Sequence, residues 1–83
     1  MLKEKDLIED HEYISKNARF SYGVLSKRVI LKINKEMSYV TYCEYKGIQQ
    51  GIKAIMKTIS IKSFLRWAVA DVTDTKKLDR NKG

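Results

Sequence analysis

Two β-like runs separated by a short polar segment limit how the middle of this chain can fold. Residues 20–33 (FSYGVLSKRVILKI) end in an alternating pattern, and residues 38–46 (SYVTYCEYK) are rich in tyrosine, valine and threonine. Alternation with a period of two is typical of a half-buried strand, and aromatic and β-branched residues favour strands. Between the runs, Asn34-Lys35-Glu36 supplies turn residues. The pattern therefore predicts an antiparallel β-hairpin.

The alternation also predicts which side chains the hairpin turns to each face. The face expected to pack on the core carries Val29, Leu31, Ile33, Val40 and Tyr42. The opposite face is expected to carry four residues of the second strand beside two cations: Tyr39, Thr41, Cys43 and Tyr45, with Arg28 and Lys32. Proteins that bind single-stranded nucleic acid stack bases on exposed rings and contact phosphates with lysines. The alternative is that the tyrosines cover the second face of the sheet beneath a helix.

Residues 48–58 are compatible with two structures. Their apolar side chains recur at the spacing of one helical face, which is formed by Ile48, Ile52, Ile55, Met56 and Ile59. Gly51 in the interior and the high β-propensity of isoleucine favour instead a third strand paired with the hairpin. The pattern leaves both alternatives open.

Residues 61–72 are predicted to form a helix, with Ser60 as its N-cap. If residues 48–58 are also helical, the pair forms a helix-turn-helix over 48–72, with the small Ala54 where the helices cross. The alternative is an ordinary helix packed on a sheet. The candidate nucleic-acid contacts from the two readings are Lys27, Arg28, Lys32, Tyr39 and Tyr45 on the hairpin, and Lys53, Lys57, Lys62, Ser63 and Arg66 in the helix-turn-helix region.

The predicted fold class is α+β in a single domain, as expected for 83 residues. Residues 1–18 are predicted to form an acidic helical arm, because Asp6 and Glu9 suit a first helical turn. Residues 19–72 are predicted to form the basic α+β core. This core combines a β-hairpin or three-stranded meander with the C-terminal helix. Residues 73–83 are predicted to be a polar, flexible tail.

The net charge of +7 is concentrated in the middle of the chain. Residues 19–70 contain ten basic and two acidic residues, whereas residues 1–18 contain three basic and five acidic ones. Such an excess of cations is typical of a surface that binds a polyanion, and it predicts binding to DNA or RNA through backbone phosphates. Small size and a Lys- and Ile-rich composition also suit an accessory protein of a phage or other mobile element.

The alternative function is an inhibitor or adaptor that docks on an acidic protein surface. In that reading the chain forms a homodimer, in which the acidic arm of one copy pairs with the basic middle of the other.

The sequence does not favour catalysis. His11 and Cys43 are the single histidine and cysteine, and neither lies in a motif for a nucleophile, a metal ligand or a phosphate loop. We therefore expect no enzyme activity, no metal and no cofactor. A single cysteine suits a reducing compartment, and no apolar stretch approaches the roughly 20 residues that span a bilayer. A cytoplasmic protein without membrane attachment is expected.

Overall fold

The computed structural model describes residues 1–73, and in that range the chain is mainly β with one short α-helix. In chain order the elements are β1 (Glu12–Ser15), β2 (Phe20–Ser21), β3 (Val24–Leu25), β4 (Lys27–Asn34), β5 (Tyr39–Ile48), β6 (Gly51–Ser60), α1 (Ile61–Trp67) and β7 (Ala68–Asp71). Five strands form an antiparallel sheet in the order β6-β5-β4-β1-β7, and β2 pairs with β3 as a separate hairpin. The predicted α+β class is therefore wrong.

No helical arm is present at the N-terminus of residues 1–73, so this prediction is also wrong. Glu4–Asp6 form a single 3-10 turn. The segment that follows becomes β1, which lies between β4 and β7 in the sheet. The Tyr13 side chain is fully buried, and its hydroxyl donates a hydrogen bond to the Asp6 carbonyl (2.7 Å) and accepts one from the Ile8 amide (2.8 Å). Residues 1–18 are thus part of the fold rather than a removable arm.

Residues 51–60 form strand β6, so the helix-turn-helix over 48–72 is wrong and the third strand is the alternative observed. Strands β5 and β6 pair along their whole length, from Ile48↔Gly51 at the turn to Tyr39↔Ser60 at the far end. The spacing of the isoleucines suits a helical face, but residues 51–58 are all exposed. Hydrogen bonding to β5, which the spacing of apolar residues does not reveal, decides the conformation.

Helix α1 is shorter than the predicted 61–72 because the chain leaves the helix at Ala68. The Ser60 side chain accepts a hydrogen bond from the Ser63 amide, which confirms Ser60 as the N-cap. From Ala68 onward the chain pairs with β1, through Tyr13↔Asp71, Ile14↔Ala70 and Ser15↔Ala68. The predicted tail, residues 73–83, lies outside the described residues apart from Thr73.

The core lies between α1 and one face of the sheet. Phe64 of α1 is fully buried, and its ring meets the rings of Tyr13 and Tyr42 in edge-on contacts with centroids 5.6 Å apart. Edge-to-face aromatic pairs contribute about 0.5–1.5 kcal/mol beyond the area that they bury. Ile30 and Val40 complete the fully buried set. The Phe64 ring thus joins the helix to two strands, to β1 through Tyr13 and to β5 through Tyr42.

A β-bulge in β4 changes the predicted face assignment of the hairpin. The register shifts between Ile30 and Lys32, so that Ile30 pairs with Tyr42 while Ile33 pairs with Val40. Ile30 and Ile33 therefore face the core, whereas Val29 pairs with Cys43 and lies on the other face. The prediction that Val29 and Leu31 face the core is wrong, because strict alternation cannot anticipate an inserted residue.

We call the sheet face opposite α1 the outer face. On β4 to β6 the register assigns to it Lys27, Val29, Lys32, Tyr39, Thr41, Cys43, Tyr45, Gly47, Ile52, Ala54, Met56 and Thr58. The β2–β3 hairpin crosses this face at Gly47, where an added Cβ would lie 1.8 Å from the Ser21 carbonyl oxygen. Only glycine fits this close approach.

A hydrogen-bonded cluster holds β7 against the N-terminal segment. The His11 Nδ1 and Asp71 Oδ2 atoms are 2.6 Å apart, and the Thr73 amide donates to Asp71 Oδ1 (2.9 Å). Burial opposes ionisation of Asp71, but hydrogen bonds from His11 and Thr73 outweigh it and hold the pKa of this carboxyl below its usual range.

The buried Phe64 ring gives a first testable prediction. Phe64→Ala is expected to lower the free energy of unfolding by about 3–5 kcal/mol, because it removes a fully buried ring and leaves a cavity. Small domains have only about 5–15 kcal/mol in total, so urea unfolding followed by circular dichroism should show a large shift in midpoint. Val69→Ala, at a side chain that is 49% exposed, is the control and should leave the midpoint nearly unchanged.

The lowered pKa of Asp71 gives a second prediction, on pH. A carboxyl whose pKa is lower in the folded than in the unfolded state stabilises the fold above its unfolded pKa, which is about 3.9. This stabilisation is lost as the pH falls through the folded pKa. Asp71→Asn should therefore reduce the melting temperature at pH 7. The difference in melting temperature between variant and wild type should narrow as the pH falls below about 3.9. A constant difference across that range would contradict the assignment.

Candidate nucleic-acid interface

Five cations project from the side of the molecule on which α1 lies. We call them the basic face: Lys46, Lys53 and Lys57 on the β5–β6 hairpin, and Lys62 and Arg66 on α1. Strand alternation places the three lysines on the same face as the core residues Val40 and Tyr42. Helix α1 buries Ile61 and Phe64 against that face, so its exposed residues point outward on the same side.

The basic face contains like charges held close together. Lys46 and Lys53 are direct partners in the β5–β6 ladder. Directly opposite residues have Cβ atoms about 4.5–5.5 Å apart, and like charges in that arrangement destabilise a sheet. Lys57 lies four residues from Lys53 on the same face, about 13 Å along the strand. An anion bound here would relieve the repulsion between these side chains.

Few carboxylates neutralise this surface. The sequence contains no acidic residue between Glu44 and Asp71. Lys46 Nζ lies 3.5 Å from the Glu44 carboxylate. Among residues 1–73, no carboxylate lies within ion-pair distance of the other four cations of the basic face. Four exposed cations are therefore held by the fold without a partner in the part of the chain that the structure describes.

The predicted site residue Ser63 lies on the exposed side of α1 between these cations. Its hydroxyl accepts a hydrogen bond from the Ser60 hydroxyl (2.9 Å), and its amide donates to the same Ser60 oxygen (3.1 Å). Ser63 thus belongs to the N-terminal cap of α1 and shares the surface with Lys62 and Arg66.

Arg28 was predicted on the tyrosine face of the hairpin, but it lies on the opposite face. Its guanidinium carbon is 4.4 Å from the centroid of the Tyr42 ring and 4.0 Å from that of Trp67. Its Nε donates to Glu44 (3.1 Å), and the side chain is 15% exposed. These contacts hold Arg28 between the sheet and the end of α1, so its charge is used within the fold.

The remaining hairpin candidates lie on the outer face. Lys27 forms an ion pair with Glu12 (2.8 Å), while Lys32 is exposed and pairs in register with Thr41. Tyr39 is exposed and Tyr45 is half-buried. The alternative predicted a helix over these tyrosines, but no helix in residues 1–73 covers them. The outer face thus brings Lys27, Lys32, Tyr39 and Tyr45 together, without Arg28.

Tyr45 has a specific electrostatic neighbour on that face. A hydrogen bond with the Cys43 side chain raises the pKa of Tyr45 above its usual range. A tyrosine is neutral at physiological pH in any case, so Tyr45 adds no charge to the outer face.

The groups that often carry chemistry are dispersed in the described part of the chain. Within residues 1–73, no three His, Cys, Asp or Glu side chains come together as a metal site. Cys43 lies on the outer face, whereas His11 contacts Asp71 beside β7. No helix in residues 1–73 is long and apolar enough to cross a membrane.

Lys46 and Trp67 were not among the predicted site residues. Two signals in the sequence could have identified Lys46 as a candidate. It lies near the start of a long segment without acidic residues, and strand alternation places it on the same face as Val40 and Tyr42. Trp67 lines a cavity of about 260 Å³ that also contains Arg19, Lys27 and Lys46. Its position beside these cations depends on where α1 ends, which the helical pattern did not indicate.

The fold and this surface define a small, mainly-β domain with a basic face. No protein-family model matches the chain, and no curated protein and no solved structure shows significant similarity to it.

The placement of Arg28 gives a prediction that separates stability from binding. Arg28→Ala is expected to lower the free energy of unfolding by about 1–3 kcal/mol, because it removes two ring contacts and leaves Glu44 with Lys46 alone. The matched change Lys32→Ala, at an exposed residue on the same strand, should change the free energy of unfolding by less than about 0.5 kcal/mol. Equal effects in urea unfolding would contradict the structural role of Arg28.

Proposed function

We propose that this chain is a non-catalytic protein that binds DNA or RNA, with the basic face in contact with the phosphate backbone. One observation carries the proposal: residues 45–70 contain five cations and no acid, and the fold brings all five to one side of the molecule. A solvated lysine surface usually mixes both signs of charge, whereas this one does not. A polyanion is the partner that such a surface suits best.

The free energy of binding comes from counterion release. Each cation that neutralises a phosphate displaces a condensed counterion from the nucleic acid, so affinity falls steeply with salt. Four cations contribute most in this view, because they are exposed and have no carboxylate partner among residues 1–73: Lys53, Lys57, Lys62 and Arg66. Binding also relieves the repulsion between Lys46 and Lys53 across the ladder.

The shape of the β5–β6 hairpin favours a duplex. Strand β5 pairs with β4 as far as Tyr45, and beyond that point residues 46–48 and 51–53 continue as a two-stranded antiparallel ribbon closed by Gln49 and Gln50. The major groove of B-DNA is about 12 Å wide and admits a two-stranded ribbon. In this arrangement the lysines contact phosphates, which position the protein, while the exposed glutamines at the tip are the groups able to read adenine edges.

The proposal predicts a steep dependence of affinity on salt. If about four phosphates are neutralised, affinity for a labelled 20-base-pair duplex should fall roughly a hundredfold between 50 and 200 mM salt. Fluorescence anisotropy measures this directly. The double variant Lys53→Gln/Lys57→Gln should bind more weakly and flatten the slope of log K against log salt by about 1.8.

The matched control removes the same two charges elsewhere. Lys32→Gln/Lys35→Gln changes exposed lysines of β4 and the β4–β5 turn, and it should keep the wild-type slope. An equal loss in both double variants would place binding outside the basic face. If the protein prefers single-stranded nucleic acid and Lys32→Gln abolishes that binding, the binding site lies at Tyr39 and its neighbours instead. No binding at 50 mM salt would contradict nucleic-acid binding altogether and direct the search to an acidic protein.

A further inference from the structure

The outer face carries exposed apolar side chains in the described part of the chain. Three of its side chains are strongly exposed: Met56 (68%), Ile52 (61%) and Tyr39 (46%). Val29, Cys43 and Tyr45 lie between them and are half-buried. The β2–β3 hairpin covers this face near Gly47. Among residues 1–73, twelve large hydrophobic side chains are exposed and eight hydrophobic residues are buried, so burial within one copy is incomplete.

The charges of the outer face differ from those of the rest of the molecule. On β4 to β6 its charged side chains are Lys27 and Lys32, and Lys27 is neutralised by the ion pair with Glu12. The cations without a described partner on β6 and α1 all lie on the opposite side. Two chains with a net charge of +7 repel each other, and the repulsion is smallest where the surface is nearly neutral.

We propose that the outer face packs against the same face of a second copy of this chain, related by a two-fold axis. Such a contact is self-complementary, because the same surface patch of each copy forms the two sides of the interface. Two sheets that pack face to face lie about 10 Å apart with their strands within about 30°. The exposed Met56 and Tyr39 side chains fill that space, and both basic faces remain on the outside of the dimer.

The area of this contact predicts a weak, reversible dimer. One strand residue covers roughly 33 Å² of a sheet face, so the outer-face positions on β4 to β6 span about 350–400 Å² in each copy. The total for both copies is below the roughly 1,000 Å² expected of a stable specific interface, so only a weak and transient contact is expected. The dimer should therefore dissociate on dilution.

Sedimentation equilibrium of the full chain tests the proposal without nucleic acid, at concentrations from about 1 to 500 μM and at 200 mM salt. The apparent mass should rise with concentration from that of one chain towards twice that value. Because no nucleic acid is present, a negative result here leaves the proposed phosphate binding unaffected, and failure of phosphate binding leaves the dimer test unaffected.

A pair of variants on neighbouring residues of β6 locates the contact. Met56→Lys adds a charge to the outer face and should weaken dimerisation by at least tenfold. Ile55→Lys adds the same charge one residue away, at a side chain that is 38% exposed on the opposite face, and should dimerise like wild type. Both positions are exposed, so circular dichroism should report the same fold for all three proteins.

Three results would overturn the proposal. One is a wild-type chain that stays monomeric at every concentration, and another is a Met56→Lys variant that dimerises like wild type. The third is an equal loss of dimerisation in both variants, which would indicate that the two copies meet at the free edge of β6 instead. An unpaired strand edge is the other surface through which sheets associate, and it would be sensitive to both substitutions.

Discussion

The packing of Phe64 against Tyr13 and Tyr42 is the interaction on which the rest of the structure depends. It fastens α1 to strands that are distant in sequence, and it requires β1 to lie inside the sheet. With the helix in this position, Trp67 at its end lies over Arg28, and the following residues reach β1 to form β7. The same contact turns Lys62 and Arg66 outward, on the side of the sheet that also carries Lys53 and Lys57. A single buried ring therefore links the core to the basic face.

The fold separates two kinds of cation. Those close to carboxylates across the sheet, Lys27 with Glu12 and Arg28 with Glu44, are used within the structure. Those on the exposed strand β6 and on the outside of α1 have no such neighbours in residues 1–73. Because the fold holds them on one side of the molecule, they form a surface with a positive potential. The apolar outer face lies on the other side of the same strands, so the proposed phosphate binding and the proposed self-association would use different surfaces.

The parts of the structure that depend on local signals could be predicted. The hairpin of β4 and β5 is present, and Ser60 caps α1 through its hydroxyl, as its position implied. Four of the five cations on the basic face were among the candidates, because an excess of charge is visible in any linear sequence. The bulge near Leu31 was not predicted, and it exchanged the faces of Val29 and Ile30. A one-residue insertion leaves no local signature in a run of β-branched residues.

By itself, the sequence determined that this chain has a basic middle, a β-hairpin at its centre and a capped helix after Ser60. These features follow from residue types and their spacing over a few positions. Only the tertiary structure decided that residues 12–15 and 68–71 are strands, that residues 51–60 pair with β5, and that Arg28 lies between Tyr42 and Trp67. The reason is physical: strand pairing and aromatic packing depend on partners far away in sequence, and their hydrogen bonds and buried rings outweigh local helical preference.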